Sequence, residues 1–210
     1  LMTDGVKVDE HKLTALHAAL INGGVFVYVP KNVVIEDPLQ VLFIHDNEEA
    51  SLFNHVVIVA EENSQVTYVE SYLSTMEHAE TQANIVAEVF AKANAKIVYG
   101  SVDVLAEGMT TYVNRRGVTG PHARIEWALG LMNDGNTISE NITHLVGDGS
   151  SRDMKSVVVG RGSQKQNLPS EIVHLGLDTD VFSLKHVVLK ENSFAIFRGI
   201  GLIANSAPHS

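Results

Sequence analysis

Apolar and polar positions alternate with a period of two along most of this chain, and short polar turns interrupt the alternation. That is the signature of half-buried strands. Ala83, Ile85, Ala87 and Val89 face one way, and Gln82, Asn84 and Glu88 the other. Ile125, Trp127, Leu129 and Leu131 repeat the pattern against Arg124 and Glu126. Thr137, Ser139, Asn141 and Thr143 form a row of hydroxyls and amides, which predicts a solvated or ladder-forming face. Only Asp9 to Ile21 reads as a helix. Asp9 is its expected N-cap, Leu13, Leu16, Ala19 and Leu20 its apolar stripe, and Asn22-Gly23-Gly24 its stop. Val25–Val29 and Leu39–His45 then read as strands. At the far end, the stretch from Gly160 to Gly201 predicts strands over Glu171–Leu175, Val181–Lys190 and Phe194–Ile200.

The turns resemble one another. Val59 to Val69 and Val188 to Phe197 both run strand, Glu-Asn-Ser, strand. Weaker copies surround Asn94, Gly120 and Gly149. Asn and Gly suit such bends because they adopt positive φ at low cost. Bends at 63, 94, 120, 149 and 192 give spacings of 31, 26, 29 and 43 residues. So rough a period predicts a β-solenoid, in which each coil buries its apolar face against its neighbours. A β-sandwich with similar turns is the alternative.

Composition narrows the function classes. The chain has 210 residues, 45% of them hydrophobic, enough for one core. Fifteen basic against 25 acidic residues give a net charge of −10, which argues against a broad nucleic-acid surface. With no cysteine there is no disulfide, thiolate ligand or thiol nucleophile, and a reducing cytoplasm is expected. No apolar run approaches the roughly 18–20 residues of a membrane span. Leu1 to Lys7 lacks the apolar core of a signal peptide. The chain reads as a piece of a longer protein, divided into a helical lead-in over 1–24 and a solenoid core over 25–210.

Motifs of catalysis are missing from the sequence. Gly199-Ile200-Gly201-Leu202-Ile203-Ala204 matches G-x-G-x-x-A in letters, but the helix and distant acid that such a nucleotide site needs do not follow. No phosphate-binding P-loop occurs. None of the ten histidines has short chelating spacing, and His55, His144, His174 and His186 read as strand histidines. The acids are too dispersed to nominate a catalytic pair.

Several segments carry a family resemblance: Gln164-Lys165-Gln166-Asn167, Val173-His174-Leu175, Asp178-Thr179, Lys185-His186-Val187-Val188 and Phe197-Arg198-Gly199-Ile200-Gly201. Upstream, Asn22 to Lys31, Pro38-Leu39, Arg115-Arg116-Gly117 and Ala123 to Trp127 add to it. Together they resemble the core of the SufB/SufD family of iron–sulfur cluster assembly scaffolds. Leu184-Lys185-His186, Lys190-Glu191-Asn192-Ser193 and the lack of cysteine look more like its SufD-like branch.

The resemblance implies a right-handed parallel β-helix and a non-catalytic cytoplasmic scaffold. It also implies a SufB-like paralogue as partner and a SufC-type ATPase that supplies ATP chemistry in trans. The family's C-terminal helical segment, which docks the ATPase, has no counterpart in this chain. No cofactor is expected to reside in the chain, the cluster being assembled transiently by the full complex. Gln164, Gln166, Lys185, His186, Phe194 and Ile196 are the expected subunit-interface positions, and a homodimer through the Val181–Ile200 strands is the simplest version. Two other classes stay open: a β-helical polysaccharide lyase or hydrolase, and a purely structural self-associating solenoid.

Overall fold

The structure, a computed structural model, describes residues 2–205 and residue 207. A single helix, α1 (Lys12–Leu20), precedes thirteen strands. The odd strands form one sheet in chain order: β1 (Gly23–Val29), β3 (Leu52–Ala60), β5 (Gln82–Ala91), β7 (Thr110–Thr119), β9 (Thr137–Leu145), β11 (Lys165–His174) and β13 (Phe194–Ile203). The even strands form the second: β2 (Leu39–His45), β4 (Gln65–Ser74), β6 (Lys96–Val104), β8 (Arg124–Leu131), β10 (Ser151–Gly160) and β12 (Asp180–Leu189). Every strand from β3 to β11 pairs in parallel with the strands two before and two after it, and β1, β2, β12 and β13 have one neighbour each. Two parallel sheets visited in turn make a β-solenoid of about six coils. A sandwich of antiparallel hairpins is excluded.

The coil period is tighter than the turn sequences suggest. At the corner leading from the odd to the even sheet, Asn32, Asn63, Asn94, His122, Gly149 and Asp178 all have positive φ, at spacings of 31, 31, 28, 27 and 29 residues. The bend near 192 lies at the opposite corner, where Gly108, Gly162 and Glu191 have positive φ. That accounts for the apparent gap of 43 residues, which joined two different corners. Three of the bends are stitched together: Asn63 Nδ2 donates to Asn32 Oδ1 and Asn94 Nδ2 to Asn63 Oδ1, both at 3.0 Å. Asparagine therefore tolerates the left-handed backbone and links successive coils.

The helix differs from its expected form. His11, not Asp9, is the N-cap: its ring Nδ1 accepts from Leu13 N at 3.2 Å, and His11 N donates to Thr14 Oγ1 at 3.1 Å. The buried face is Thr14 and His17, while Leu20 is 48% exposed. A polar face is buried because the helix docks on polar side chains of the solenoid. His17 Nδ1 meets Asn84 Oδ1 at 3.2 Å, and Asn84 Nδ2 donates to Leu13 O at 3.0 Å.

Strand faces follow the predicted alternation where one side meets solvent, as in β8, where Ile125, Trp127, Leu129 and Leu131 are buried. In β3, β5 and β7 both faces are largely buried, because the N-terminal segment lies over their outer side. The Thr137, Ser139, Asn141 and Thr143 row of β9 points inward and is buried, not solvated. The predicted strand at Glu171–Leu175 is the end of a longer β11, which begins at Lys165.

Candidate assembly interface and polar interior

The solenoid interior is apolar in its first coils, where Val29, Val56, Ile58, Val66, Ala87, Val89 and Ile97 pack together. Polarity enters along the middle of the strands. In the odd sheet the register aligns Val56, Ala87, Arg115, Asn141, Ser170 and Gly199. In the even sheet it aligns Val41, Glu70, Ser101, Leu129, Ser156 and Lys185. A polar seam thus runs down the axis toward the last coil.

Its upstream part is a closed network. Arg115 is fully buried, with Nη2 donating to Asp103 Oδ2 at 3.2 Å and to Ser101 Oγ at 2.8 Å. Glu70, also fully buried, accepts from the hydroxyls of Tyr68 at 3.0 Å, Tyr72 at 3.5 Å and Tyr99. Burial pushes the Glu70 carboxyl up to about 7, against the pull of Arg115 and the Tyr99 hydrogen bond. Burial and the neighbouring carboxylate raise the three tyrosines above their ordinary value. Two acids share one guanidinium here, and the acid without the direct ion pair takes up the proton.

Downstream, the seam carries cations. Arg152 donates to Asn141 Oδ1 at 2.7 Å, Ser183 Oγ at 2.8 Å and Met154 Sδ at 2.9 Å. Lys185 Nζ reaches Leu168 O at 3.3 Å and Ser170 Oγ at 3.2 Å, and lies 5.5 Å from the centre of the Phe197 ring. Burial lowers the pKa of Arg152 to about 10, and burial with the Arg152 charge lowers that of Lys185.

The last coil is left open. In β12 and β13 every position is exposed or only partly covered. Phe182, Leu184, Val188, Phe194, Ile196 and Leu202 are exposed there, with Phe194 at 55%. Parallel strands with apolar side chains on a free edge form a surface built for another chain. The six expected interface positions separate on this surface. Phe194 and Ile196 are exposed on β13, and His186 is exposed on β12. Lys185 faces the interior at its open end. Gln164 and Gln166 are not on the surface at all, at 5% and 3% exposure. Gln164 Nε2 holds Asn133 O at 2.7 Å and Gly135 O at 2.6 Å, and Gln166 Nε2 holds Val159 O at 3.1 Å. Their amides satisfy corner carbonyls, a task that removes them from solvent.

A second buried cluster fixes the N-terminal segment to the outer side of the odd sheet. Glu88 accepts from Thr3 N at 2.6 Å, Gly5 N at 2.5 Å and Val6 N at 3.2 Å, and pairs with His55 Nε2 at 2.7 Å. His55 Nδ1 in turn meets His17 Nε2 at 3.0 Å. Burial raises the Glu88 carboxyl, but these hydrogen bonds overcome it and hold the pKa below the ordinary value. Burial, then the neighbouring His55, pushes His17 down to about 4. Arg116 closes the clamp, Nη1 on Gly5 O at 2.8 Å and Nη2 on Glu10 Oε2 at 2.9 Å. The sequence hides this cluster because its members are spread over 111 residues.

A cleft of about 630 Å³ lies at the even-to-odd corner and is bordered by Glu77, Glu107, Asp134 and Arg161. Arg161 is paired with Asp134 at 2.7 Å. Among the described residues no group of three or more histidines and carboxylates is placed to hold a metal ion. Gly199 and Gly201 lie within β13, and among the described residues no helix follows them.

Parallel coils with a polar seam and an uncovered last coil define a β-solenoid, and comparison with known proteins assigns its family. The profile described as "SUF system FeS cluster assembly, SufBD core domain" matches residues 43–210, and that of the SufBD protein N-terminal region matches residues 3–41. The chain belongs to the SufBD family. It is 56% identical over 207 residues to the iron–sulfur cluster assembly protein SufD of Bacillus subtilis, covering 98% of this chain and 47% of that protein. It is 25% and 26% identical to SufBD family proteins of Staphylococcus saprophyticus and Staphylococcus epidermidis, over 93% of the chain and 42% of each relative. The chain spans about half the length of these relatives. Among the described residues no helix is long and apolar enough to cross a membrane.

Proposed function

We propose that this chain is the β-helical part of a SufD-like scaffold subunit that acts in the cytoplasm. It pairs through its last coil with a SufB-like paralogue, and a SufC-type ATPase supplies the energy-coupled step. The chain performs no catalysis of its own, and the iron–sulfur cluster is the product that the complex assembles. The observation that carries the pairing is the uncovered β12–β13 coil, whose exposed Phe182, Phe194 and Ile196 lie beside free strand edges. Identity of 56% to a protein named SufD supports the branch assignment.

Co-expression with the SufB-like and SufC-like proteins of the same genome tests the reading, with masses taken by size-exclusion light scattering. The full-length protein is expected to join both partners. A double substitution, Phe182→Glu with Ile196→Glu, is expected to abolish pairing with the paralogue while circular dichroism stays unchanged. A full-length protein that joins neither partner would remove the functional content of the proposal.

A further inference from the structure

The open end of the polar seam contains a small cavity of about 20 Å³, room for one group somewhat larger than a water molecule. Its polar lining includes Asn141, Ser156, Ser170 and Lys185, and no carboxylate lines it. Asn141 and Ser156 are 4% and 5% exposed, and the Asn141 Nδ2 and Ser156 Oγ atoms have no hydrogen-bond partner. Lys185 Nζ has three N–H donors and uses two on Leu168 O and Ser170 Oγ. Behind Asn141 stands Arg152, which holds the Asn141 carboxamide oxygen and so turns the amide NH₂ away from itself. Among the described residues, neither Arg152 nor Lys185 lies within ion-pair distance of a carboxylate. Upstream, the Arg115 cation is matched by Asp103. Here Arg152 is buried and Lys185 half-buried, neither touches a carboxylate, and only Asp153 acts on Arg152 from a distance, so the buried charge is poorly compensated and costly.

The geometry points to a binding site for one small monovalent anion, held by Lys185 Nζ, Asn141 Nδ2 and Ser156 Oγ in the field of Arg152. An anion accepts hydrogen bonds and donates none, or one at most, which suits a lining whose free groups are an amide NH₂, a hydroxyl and an ammonium. Chloride and hydrosulfide share that size and charge. Phosphate and sulfate are too large for the space, and a cation would meet only positive charge. Leu129, Leu131 and Phe197 border the rest of the wall, leaving the mouth beside Lys185 and Phe197 half open.

Bromide is the probe. In crystals of the protein soaked with sodium bromide, anomalous scattering is expected to place one ion between Lys185 and Asn141. In solution, stability is expected to rise with bromide or chloride and to saturate, at constant ionic strength set by a bulky organic anion. Lys185→Met removes the charge at the half-covered mouth and is expected to weaken the midpoint at least tenfold. Ser156→Ala, a small change that preserves the strand, is expected to weaken it less and serves if Lys185→Met does not fold. Titration with hydrosulfide under anaerobic conditions, alone and against bromide, separates the two natural candidates by their relative midpoints. An absent anomalous peak with a neutral water in its place would overturn the proposal. So would halide stabilisation that both variants retain. Neither measurement needs a partner protein, so the result stands apart from the scaffold reading.

Discussion

At the residue scale, the interior charges govern how this protein responds to pH and to substitution. Glu70 titrates near 7 when folded, against an ordinary carboxylate value of 4.5. The folded state therefore binds its proton more tightly, and the stability from this group is full below about 4.5 and lost as pH rises through 7. Glu70→Gln mimics the protonated form. Its melting temperature is expected to match the parent near pH 5 and to exceed it at pH 8, measured by scanning calorimetry. Asp103 forms the direct ion pair with Arg115. Removing it as Asp103→Ala strands the Arg115 guanidinium in a dry interior and is expected to cost about 3–5 kcal/mol in denaturant unfolding. These roles were not legible in the sequence. Glu70, Asp103 and Arg115 look like ordinary polar positions of alternating strands, and only the register of the coils turns them toward one another.

At the scale of the element, two local devices can be tested. The asparagine ladder joins the first three odd-to-even corners, and Asn63 sits in its middle with φ of 58°. Asn63→Ala loses both side-chain bonds and forces an L side chain into the left-handed region, with an expected loss of about 2–3 kcal/mol. Asn63→Gly keeps the backbone at ease and is expected to lose less, so the two variants apportion ladder and strain. The N-terminal clamp is the second device. His17 stays neutral in the fold down to about pH 4 but takes a proton near 6.5 when released, so its contribution is full above 6.5 and lost as pH falls toward 4. Glu88, held below its ordinary value, acts in the same direction. Hydrogen exchange in residues 3–20 is expected to quicken between pH 7 and pH 5 relative to that of β8, and His17→Gln to flatten the difference. The helix itself was legible from its spacing and from Asn22-Gly23-Gly24. Its docking face was not, because His17 is held by His55 and Asn84, 38 and 67 residues away, rather than by its own hydrophobicity.

For the whole molecule, the parallel coil architecture was readable from recurring turns, since Asn63, Asn94 and Gly149 mark bends of one corner. The true period was obscured because His122, Asp178 and Glu191 occupy left-handed positions that Gly or Asn would have advertised. Of the expected interface positions, Phe194 and Ile196 are exposed on β13, whereas Gln164 and Gln166 gave no sign in the sequence that backbone carbonyls would claim them. The open last coil has a further consequence, one of counting. Because all strands run parallel, the two ends of the solenoid differ, with β1 and β2 at one and β12 and β13 at the other. A joint between unlike ends would repeat without limit and grow a fibre, as any head-to-tail contact does. A joint between like ends has a two-fold axis, runs the strands of the two chains in opposite directions and uses up both surfaces at once. Assembly through β12 and β13 is therefore self-terminating. Its mass in light scattering should stop at two solenoids however concentrated the solution becomes, whether the second is a copy or a relative.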